Sequence, residues 1–144
     1  MATQPKHYVS VEEYLQGERR AERKSEYLAG GIFAMAGASR RHSLIVTNLV
    51  RELSQRLLTR PCGVHSNDLR VRVSPTGLYT YPDVVVFCGE PRFAAEDPDT
   101  LLNPGLVIEV LSEETDDLAS VIRLGSIACD LPVEEVYSKV QFSQ

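Results

Sequence analysis

The stretch of sequence that most constrains the fold is Tyr-Pro-Asp-Val-Val-Val-Phe, residues 81–87. Its β-branched and aromatic residues are typical of a strand that is buried on both faces. Asp83 stands at the mouth of this strand, where a carboxylate is costly unless a metal or hydrogen bonds compensate it. Residues 106–111, Leu-Val-Ile-Glu-Val-Leu, repeat the pattern with Glu109 in the middle. The two runs predict a pair of carboxylates that face each other across a sheet, as in many sites for hard cations.

These carboxylates indicate a particular kind of metal site. If the two strands are neighbours, Asp83 and Glu109 come close enough to resist joint ionisation unless a cation lies between them. Mg²⁺ takes oxygen ligands and keeps several waters, one of which can become a nucleophile. Glu26 is a third candidate, because it lies beside a strand predicted to begin at Ile32. We therefore expect Mg²⁺ or Mn²⁺ at Asp83, Glu109 and Glu26.

Length, composition and charge restrict the class of protein. The 144 residues are 43% hydrophobic and 24% charged, which suits one globular domain spanning residues 1–144. The net charge of −5 argues against a large basic surface for nucleic acid, but it permits a nuclease whose acids hold a cation. We see no membrane-spanning run and no secretory signal, and expect a cytoplasmic protein. The three cysteines, which form neither a CxxC pair nor a zinc spacing, are expected to be reduced thiols: Cys62, Cys88 and Cys129.

Hydrophobic periodicity predicts a mixed sheet flanked by helices, of the α+β or α/β kind. A capping box at Ser10 and Glu13 predicts a short helix toward Gly17. Leucines at helical spacing predict a long helix that begins at Ser39 and ends before Pro61. Further elements are predicted by pattern: strands at 32–35, 69–73, 81–87, 106–111 and 136–142, a helix at about 116–128, a hairpin joining the second and third strands, and a loop at 89–104.

Several ordered segments carry a more specific signal. They are Lys-Ser-Glu-Tyr-Leu-Ala-Gly at 24–30, Met-Ala-Gly-Ala-Ser at 35–39, His42 with Asn48, the run at 81–86, and the segment from 102–104 through 108–112. Together they resemble the Uma2 family of restriction-endonuclease-like proteins. The resemblance implies a PD-(D/E)XK nuclease core, a mixed sheet between helices. It also implies metal-dependent hydrolysis of phosphodiester bonds, for which we expect DNA as the substrate.

The resemblance also implies roles for individual residues. Asp83 corresponds to the acid of the "PD" element, Glu109 to the acid of the "(D/E)XK" element, and Glu26 to the acid on the first helix of the core. The lysine of the family falls on Arg123, on a helix whose flanking pattern positions hold Ala119 and Ile127 here. Arginine keeps the positive charge, but it cannot exchange a proton near neutral pH. The implied catalytic set is Glu26, Asp83, Glu109 and Arg123.

Three functions remain open from these residues. The first is a metal-dependent endonuclease, with a homodimer expected by analogy because two strands need two sites. The second is a catalytically impaired nuclease-fold protein that acts as a binding or regulatory module, which the departures around Arg123 favour. The third is a metal-dependent hydrolase that acts on something other than nucleic acid.

The basic residues allow two interpretations each. Arg123 is either an active-site cation or a surface charge. Arg70 and Arg72 either meet a DNA backbone or form the polar face of a strand. His42, at the start of the long helix, either touches phosphate or scaffolds the site, or else is a satisfied structural histidine. Lys139 is an outside candidate for a relocated lysine.

Overall fold

Two helices form where the capping residues predict them. The computed structural model describes residues 7–35, 37–73, 76–110, 121–124 and 129–141, with helices α1 (Val11–Glu18), α2 (Arg40–Arg56) and α3 (Val133–Val136). The Ser10 hydroxyl accepts from the Glu13 amide, and the Glu13 carboxylate accepts from the Ser10 amide at 2.8 Å. Ser39 caps α2 in the same way, by accepting from the amide of His42. These caps satisfy amides that the first helical turn leaves without a partner.

One layer of the molecule is a six-stranded sheet. Its strands, in spatial order, are β2 (Gly31–Ala34), β1 (Ser25–Leu28), β5 (Leu78–Thr80), β4 (Arg70–Val73), β8 (Asp97–Leu101) and β7 (Phe93–Ala94). Strands β4 and β8 pair in parallel, and the other neighbours pair antiparallel. The sheet is therefore mixed, which confirms the predicted α+β class.

A second sheet has three antiparallel strands: β3 (Cys62–Ser66), β6 (Val84–Cys88) and β9 (Leu106–Ile108), with β6 in the centre. Val84 and Val86 pack against the apolar face of α2. Val85 points the other way and packs with Val71 and Leu101 of the six-stranded sheet. Because all three valines are fully buried, β6 is the double-sided buried strand that its sequence predicts.

Helix α1 forms the fourth layer of the molecule. Tyr14 and Leu15 of α1 pack with Tyr27 of β1 and Tyr79 of β5. Successive side chains in a strand point to opposite faces, so Thr80 lies on the face that carries Val71 and looks toward the three-stranded sheet. The order of layers is therefore α2, three-stranded sheet, six-stranded sheet, α1.

The predicted hairpin between residues 69–73 and the Asp83 strand is wrong. Strand β4 pairs with β5, and β6 belongs to the other sheet. The chain leaves the first sheet after Thr80 and enters the second at Val84. Pro82 lies in the crossing and has no N–H to donate, which suits a break between two ladders. Two further elements, β3 and the β7–β8 pair, lie where we predicted connections.

The C-terminal predictions are also wrong where they can be compared. Residues 121–124 of the predicted helix form β10 (Val121–Leu124), which pairs antiparallel with β11 (Cys129–Pro132). Residues 116–120 and 125–128 of that helix lie outside the described residues. The predicted strand at 136–142 is instead the end of α3 followed by a turn at 137–139. The β-branched Val121 and Ile122 favour a strand over a helix.

Two cysteines form a bond that we did not predict. Cys62 and Cys88 are opposite each other on β3 and β6 and are joined as a disulfide. The expectation of reduced thiols is therefore wrong for this pair. The two residues are 26 positions apart, and only the pairing of β6 with the unpredicted β3 brings them together.

Candidate active site

Asp83 and Glu109 lie at the same end of one strand ladder. Strands β6 and β9 are antiparallel with Val84 opposite Ile108, so the register carried one residue further sets Asp83 opposite Glu109. Side chains directly opposite in such a ladder have Cβ atoms about 5 Å apart. The amide of Val110 donates to Oδ2 of Asp83 at 2.7 Å and fixes the segment after β9 to the start of β6. The predicted pairing of these two strands is confirmed.

His42 of α2 holds the same carboxylate oxygen. Its Nε2 atom is 3.1 Å from Oδ2 of Asp83, and both side chains are largely shielded from solvent. Because a carboxylate accepts, Nε2 carries the proton in this contact. The Nδ1 atom is buried and has no hydrogen-bond partner among the described residues. Of the two interpretations of His42, the structure favours a residue that orients Asp83.

The pKa of Glu109 is affected by the other acids nearby. Desolvation, the adjacent Asp83 carboxylate and the charge of Glu26 together raise the pKa of Glu109 above the usual value for a glutamate. Desolvation and like charges both disfavour the ionised form. A divalent cation between these groups would relieve the repulsion.

Glu26 reaches this region from the other sheet. It lies on β1, and Oγ1 of Thr80 on β5 donates to its Oε1 atom at 2.8 Å. The implied position on the first helix of the core is therefore wrong. The local sequence explains the strand, because Ala29 and Gly30 both have positive φ and close a two-residue hairpin between β1 and β2.

A cleft of about 1070 Å³ opens at the two paired acids. Asp83, Glu109 and His42 line it, together with the basic side chains of Arg23 and Lys24. Glu26 is joined to this region through Thr80 and is not among the residues that line the cleft in the described part of the chain. The structure therefore places Asp83 and Glu109 side by side, whereas Glu26 influences Glu109 only through its charge.

The donors at the cleft fit a hard divalent cation. Asp83 and Glu109 offer carboxylate oxygens, which Mg²⁺ and Mn²⁺ prefer, and Mg²⁺ is commonly held by one or two carboxylates plus waters. Among the described residues, no group of three or more His, Cys, Asp and Glu side chains is arranged to hold a metal. A site here would therefore rest on the Asp83–Glu109 pair.

Comparison with known proteins shows the family. Residues 11–121 match the model of Uma2, described as "Putative restriction endonuclease". The chain belongs to the Uma2 family. Two Synechocystis proteins, each named only as uncharacterized (sll1609 and slr1290), are 38% and 40% identical to it over 72% and 75% of its length. The chain spans 59% and 56% of the length of these two relatives.

A solved structure shares the fold. It comes from Anabaena variabilis and is described as a putative nuclease belonging to DUF820. The two folds agree with a TM-score of 0.67 at 17% identity, over 84% of this chain and 93% of the other. The restriction-endonuclease-like fold expected of a Uma2 protein is thereby confirmed. Among the described helices, none is long and apolar enough to span a membrane.

Arg123, the residue that the resemblance matched to the family lysine, is not on a helix. Arg123 lies on β10, opposite Asp130 of β11, and its side chain is outside what the structure describes. The flanking positions Ala119 and Ile127 also lie outside the described residues. Lys139 lies in the turn after α3 and, in the described part of this Uma2 chain, does not line the cleft.

Arg70 does not face solvent, so the interpretation in which it meets a DNA backbone is wrong, and it is not part of an exposed polar face either. It is buried on β4, where it pairs with Asp97 and donates to Thr100 at 3.0 Å and to the hydroxyl of Tyr81 at 2.6 Å. Arg72 is on the same face and is exposed, as the alternation of a half-buried strand predicts, so Arg70 is the exception.

Sequence reasoning gave no role to Lys24, which lines the cleft beside the acids. A signal was available, because Lys24 and Glu26 are two residues apart and share a face if the segment is a strand. We predicted only a charged stretch there, so this spacing had no structural meaning.

Proposed function

We propose that this Uma2 protein is a metal-dependent endonuclease that hydrolyses phosphodiester bonds in DNA. The observation that carries the proposal is the placement of Asp83 and Glu109 opposite each other at the end of the β6–β9 ladder, at the wall of a cleft. Family membership and a nuclease-like fold support the reaction class.

The chain's own residues would divide the work. Asp83 and Glu109 would hold Mg²⁺ or Mn²⁺, and Glu26 would contribute its charge from across the sheets or position a water. His42 and the amide of Val110 would fix the Asp83 carboxylate through Oδ2, which leaves Oδ1 free of N–H and O–H donors among the described residues. When bound, the cation supplies neutralisation of phosphate charge and lowers the pKa of water.

The test combines metal binding with cleavage. Asp83→Asn and Glu109→Gln are made beside Glu90→Gln, an exposed glutamate outside the cleft. Calorimetry with Mg²⁺ and Mn²⁺ and nicking of plasmid DNA are measured for each. We expect metal affinity and the cleavage rate to fall at least about 100-fold in both cleft variants, because even residues that only contact a metal ligand cost up to that much. Glu90→Gln should behave as wild type. Cleavage that survives in both cleft variants would overturn the proposal.

A second function is a nuclease-fold protein that binds DNA without cutting it. The observation that favours it is the position of Arg123 on a strand, where the lysine pattern of the family is not reproduced. Arg123→Lys separates the two functions. Faster cleavage in this variant would indicate a weakened enzyme. Metal and DNA binding without cleavage, in both wild type and variant, would favour the binding role.

We also propose a homodimer as the working unit, since cutting both strands of a duplex requires two sites. The proposal is by analogy with nucleases of this fold. Light scattering coupled to size-exclusion chromatography tests it with and without a DNA duplex. A mass of one chain under both conditions would contradict it.

A further inference from the structure

We propose that Lys24 is the residue that binds substrate phosphate in the cleft. The inference rests on the proposed nuclease function and adds a positively charged side chain to the site. It begins with the position of Lys24, which lines the cleft together with Asp83, Glu109 and His42.

The backbone places the side chain of Lys24 on the same face of the sheet as that of Glu26. Ser25 is opposite Ala34 in the β1–β2 ladder, and the amide of Met35 donates to the carbonyl of Lys24 at 3.4 Å, so the ladder continues to Lys24. Residues two apart in a strand point to the same face. Lys24 therefore shares a face with Glu26, whose charge acts on Glu109.

Three contacts hold the ammonium group at the cleft. Nζ of Lys24 donates to the carbonyl of Asn67 at 2.6 Å and to Oδ1 of Asp68 at 3.0 Å. It also lies 5.5 Å from the centroid of the Tyr81 ring, and Tyr81 is two residues before Asp83. The cation is thereby fixed relative to the strand that carries the first acid.

The ion pair leaves Lys24 able to exchange partners. The side chain of Asp68 is 87% exposed and that of Lys24 is 38% exposed. Exposed pairs of this kind contribute little to stability, and a phosphate oxygen is an equivalent acceptor for the ammonium. A backbone phosphate can therefore displace Asp68 without disturbing the fold.

The shape of the surface also suits a chain-like substrate at this point. A second cavity of about 360 Å³ adjoins the cleft, and the two share Lys24, Asp68 and Tyr81 in their walls. A strand that passes from the acids into this second cavity must run past Lys24. Lys24 therefore lies where the two cavities meet, and its charge can contact a backbone phosphate there.

The experiment measures binding apart from cleavage. A fluorescent DNA duplex is titrated in Ca²⁺, which replaces Mg²⁺, at several NaCl concentrations. The proteins are wild type, Lys24→Gln, Lys24→Arg, Asp68→Asn and the control Arg92→Gln, an exposed arginine that does not line the cleft in the described residues. For Lys24→Gln we expect roughly three- to tenfold weaker binding to DNA. The slope of the logarithm of the binding constant against the logarithm of the NaCl concentration should be smaller by about 0.9, the value for one lost phosphate contact. Affinity for Mn²⁺ should be unchanged.

Asp68→Asn separates phosphate binding from a structural role. If Lys24 only anchors Asp68, the two variants weaken binding alike, and that result overturns the inference. If Lys24 binds phosphate, Asp68→Asn binds DNA as tightly as wild type or more tightly, and Lys24→Arg keeps the wild-type slope. Wild-type binding by Lys24→Gln overturns this inference and leaves the proposed nuclease function in place. A wild-type protein that neither binds nor cuts DNA overturns both.

Discussion

His42 and Asp83 are 41 positions apart in the chain, yet Nε2 of one lies 3.1 Å from Oδ2 of the other. The contact joins the first turn of the long helix to the mouth of the central strand. A carboxylate held this way has one oxygen committed to the protein and one available for a ligand. Groups in this position commonly set how well a metal ligand is oriented.

Removing the imidazole tests this contact. We expect His42→Ala to weaken Mn²⁺ binding by about tenfold, because Asp83 loses a donor that fixes its orientation. The measurement is calorimetric titration of Mn²⁺ into each protein. His65→Ala is the matched control, because His65 is exposed on β3. Equal Mn²⁺ affinity in wild type and His42→Ala would show that His42 does not orient the site.

The buried pair of Arg70 and Asp97 predicts a large effect on stability. Arg70→Met leaves the buried Asp97 carboxylate with only Arg19, an exposed cation 3.9 Å away, and should lower the free energy of unfolding by about 3–5 kcal/mol. Arg72→Met, two residues along the same strand but exposed, should change it by less than about 0.5 kcal/mol. Urea denaturation measures both.

A double variant checks the cause of that loss. Arg70→Met with Asp97→Leu replaces the pair by apolar side chains and should recover much of the stability. If the free energy of unfolding lost in the double variant equals the sum of the losses in the two single variants, the loss comes from packing and not from an unpaired charge.

The same pair predicts how stability depends on pH. Desolvation alone would raise the pKa of Asp97, but hydrogen bonds from Thr100 and Arg70 outweigh it and lower the pKa below the usual 3.8. A lowered pKa in the folded state stabilises the protein above the unfolded value, and this contribution is lost as the pH falls through the folded pKa. We expect Asp97→Asn to be less stable at pH 7 and to lose less stability below about pH 4. Parallel urea curves for the two proteins between these pH values would refute the assignment.

The disulfide predicts a response to reductant. Because the Cys62–Cys88 bond closes a loop of 26 residues, it should contribute about 3.5 kcal/mol to the free energy of unfolding. Dithiothreitol should lower stability in wild type and in Cys129→Ser, but have no effect in the double variant Cys62→Ser/Cys88→Ser. Peptide mapping without reduction should find residues 62 and 88 linked. Unlinked peptides and no effect of reductant would count against the bond.

The sequence was sufficient where local signals and burial agree. Ser10 and Ser39 predicted the starts of α1 and α2, since a cap is a contact between residues three apart. The apolar run around Asp83 correctly predicted a buried strand, but β9 is only half-buried and Val107 is exposed, so the prediction of a second buried strand is wrong. The pairing of those strands was expected from the acid that each carries, and not from the pattern of apolar residues.

Pairings between distant residues could not be predicted from pattern. The segment 62–66 has no clear alternation of apolar and polar residues. Neither strand β3 nor the disulfide between Cys62 and Cys88 could therefore be predicted. Asp97 and Thr100 look like loop residues until Arg70 is known to be buried beside them. Tyr-Pro-Asp at 81–83 gave no sign that the chain changes sheets there, because proline marks a break without saying what lies beyond it.

The change of sheet at residues 81–83 divides the acids into two mechanical sets. Asp83 and Glu109 belong to one ladder, so the distance between them is fixed by hydrogen bonds that a rigid-body shift does not alter. Glu26 is carried by the other sheet, through β1 and Thr80. Any sliding of one sheet over the other therefore leaves the pair intact and moves only the third acid, which makes Glu26 the adjustable member of the set.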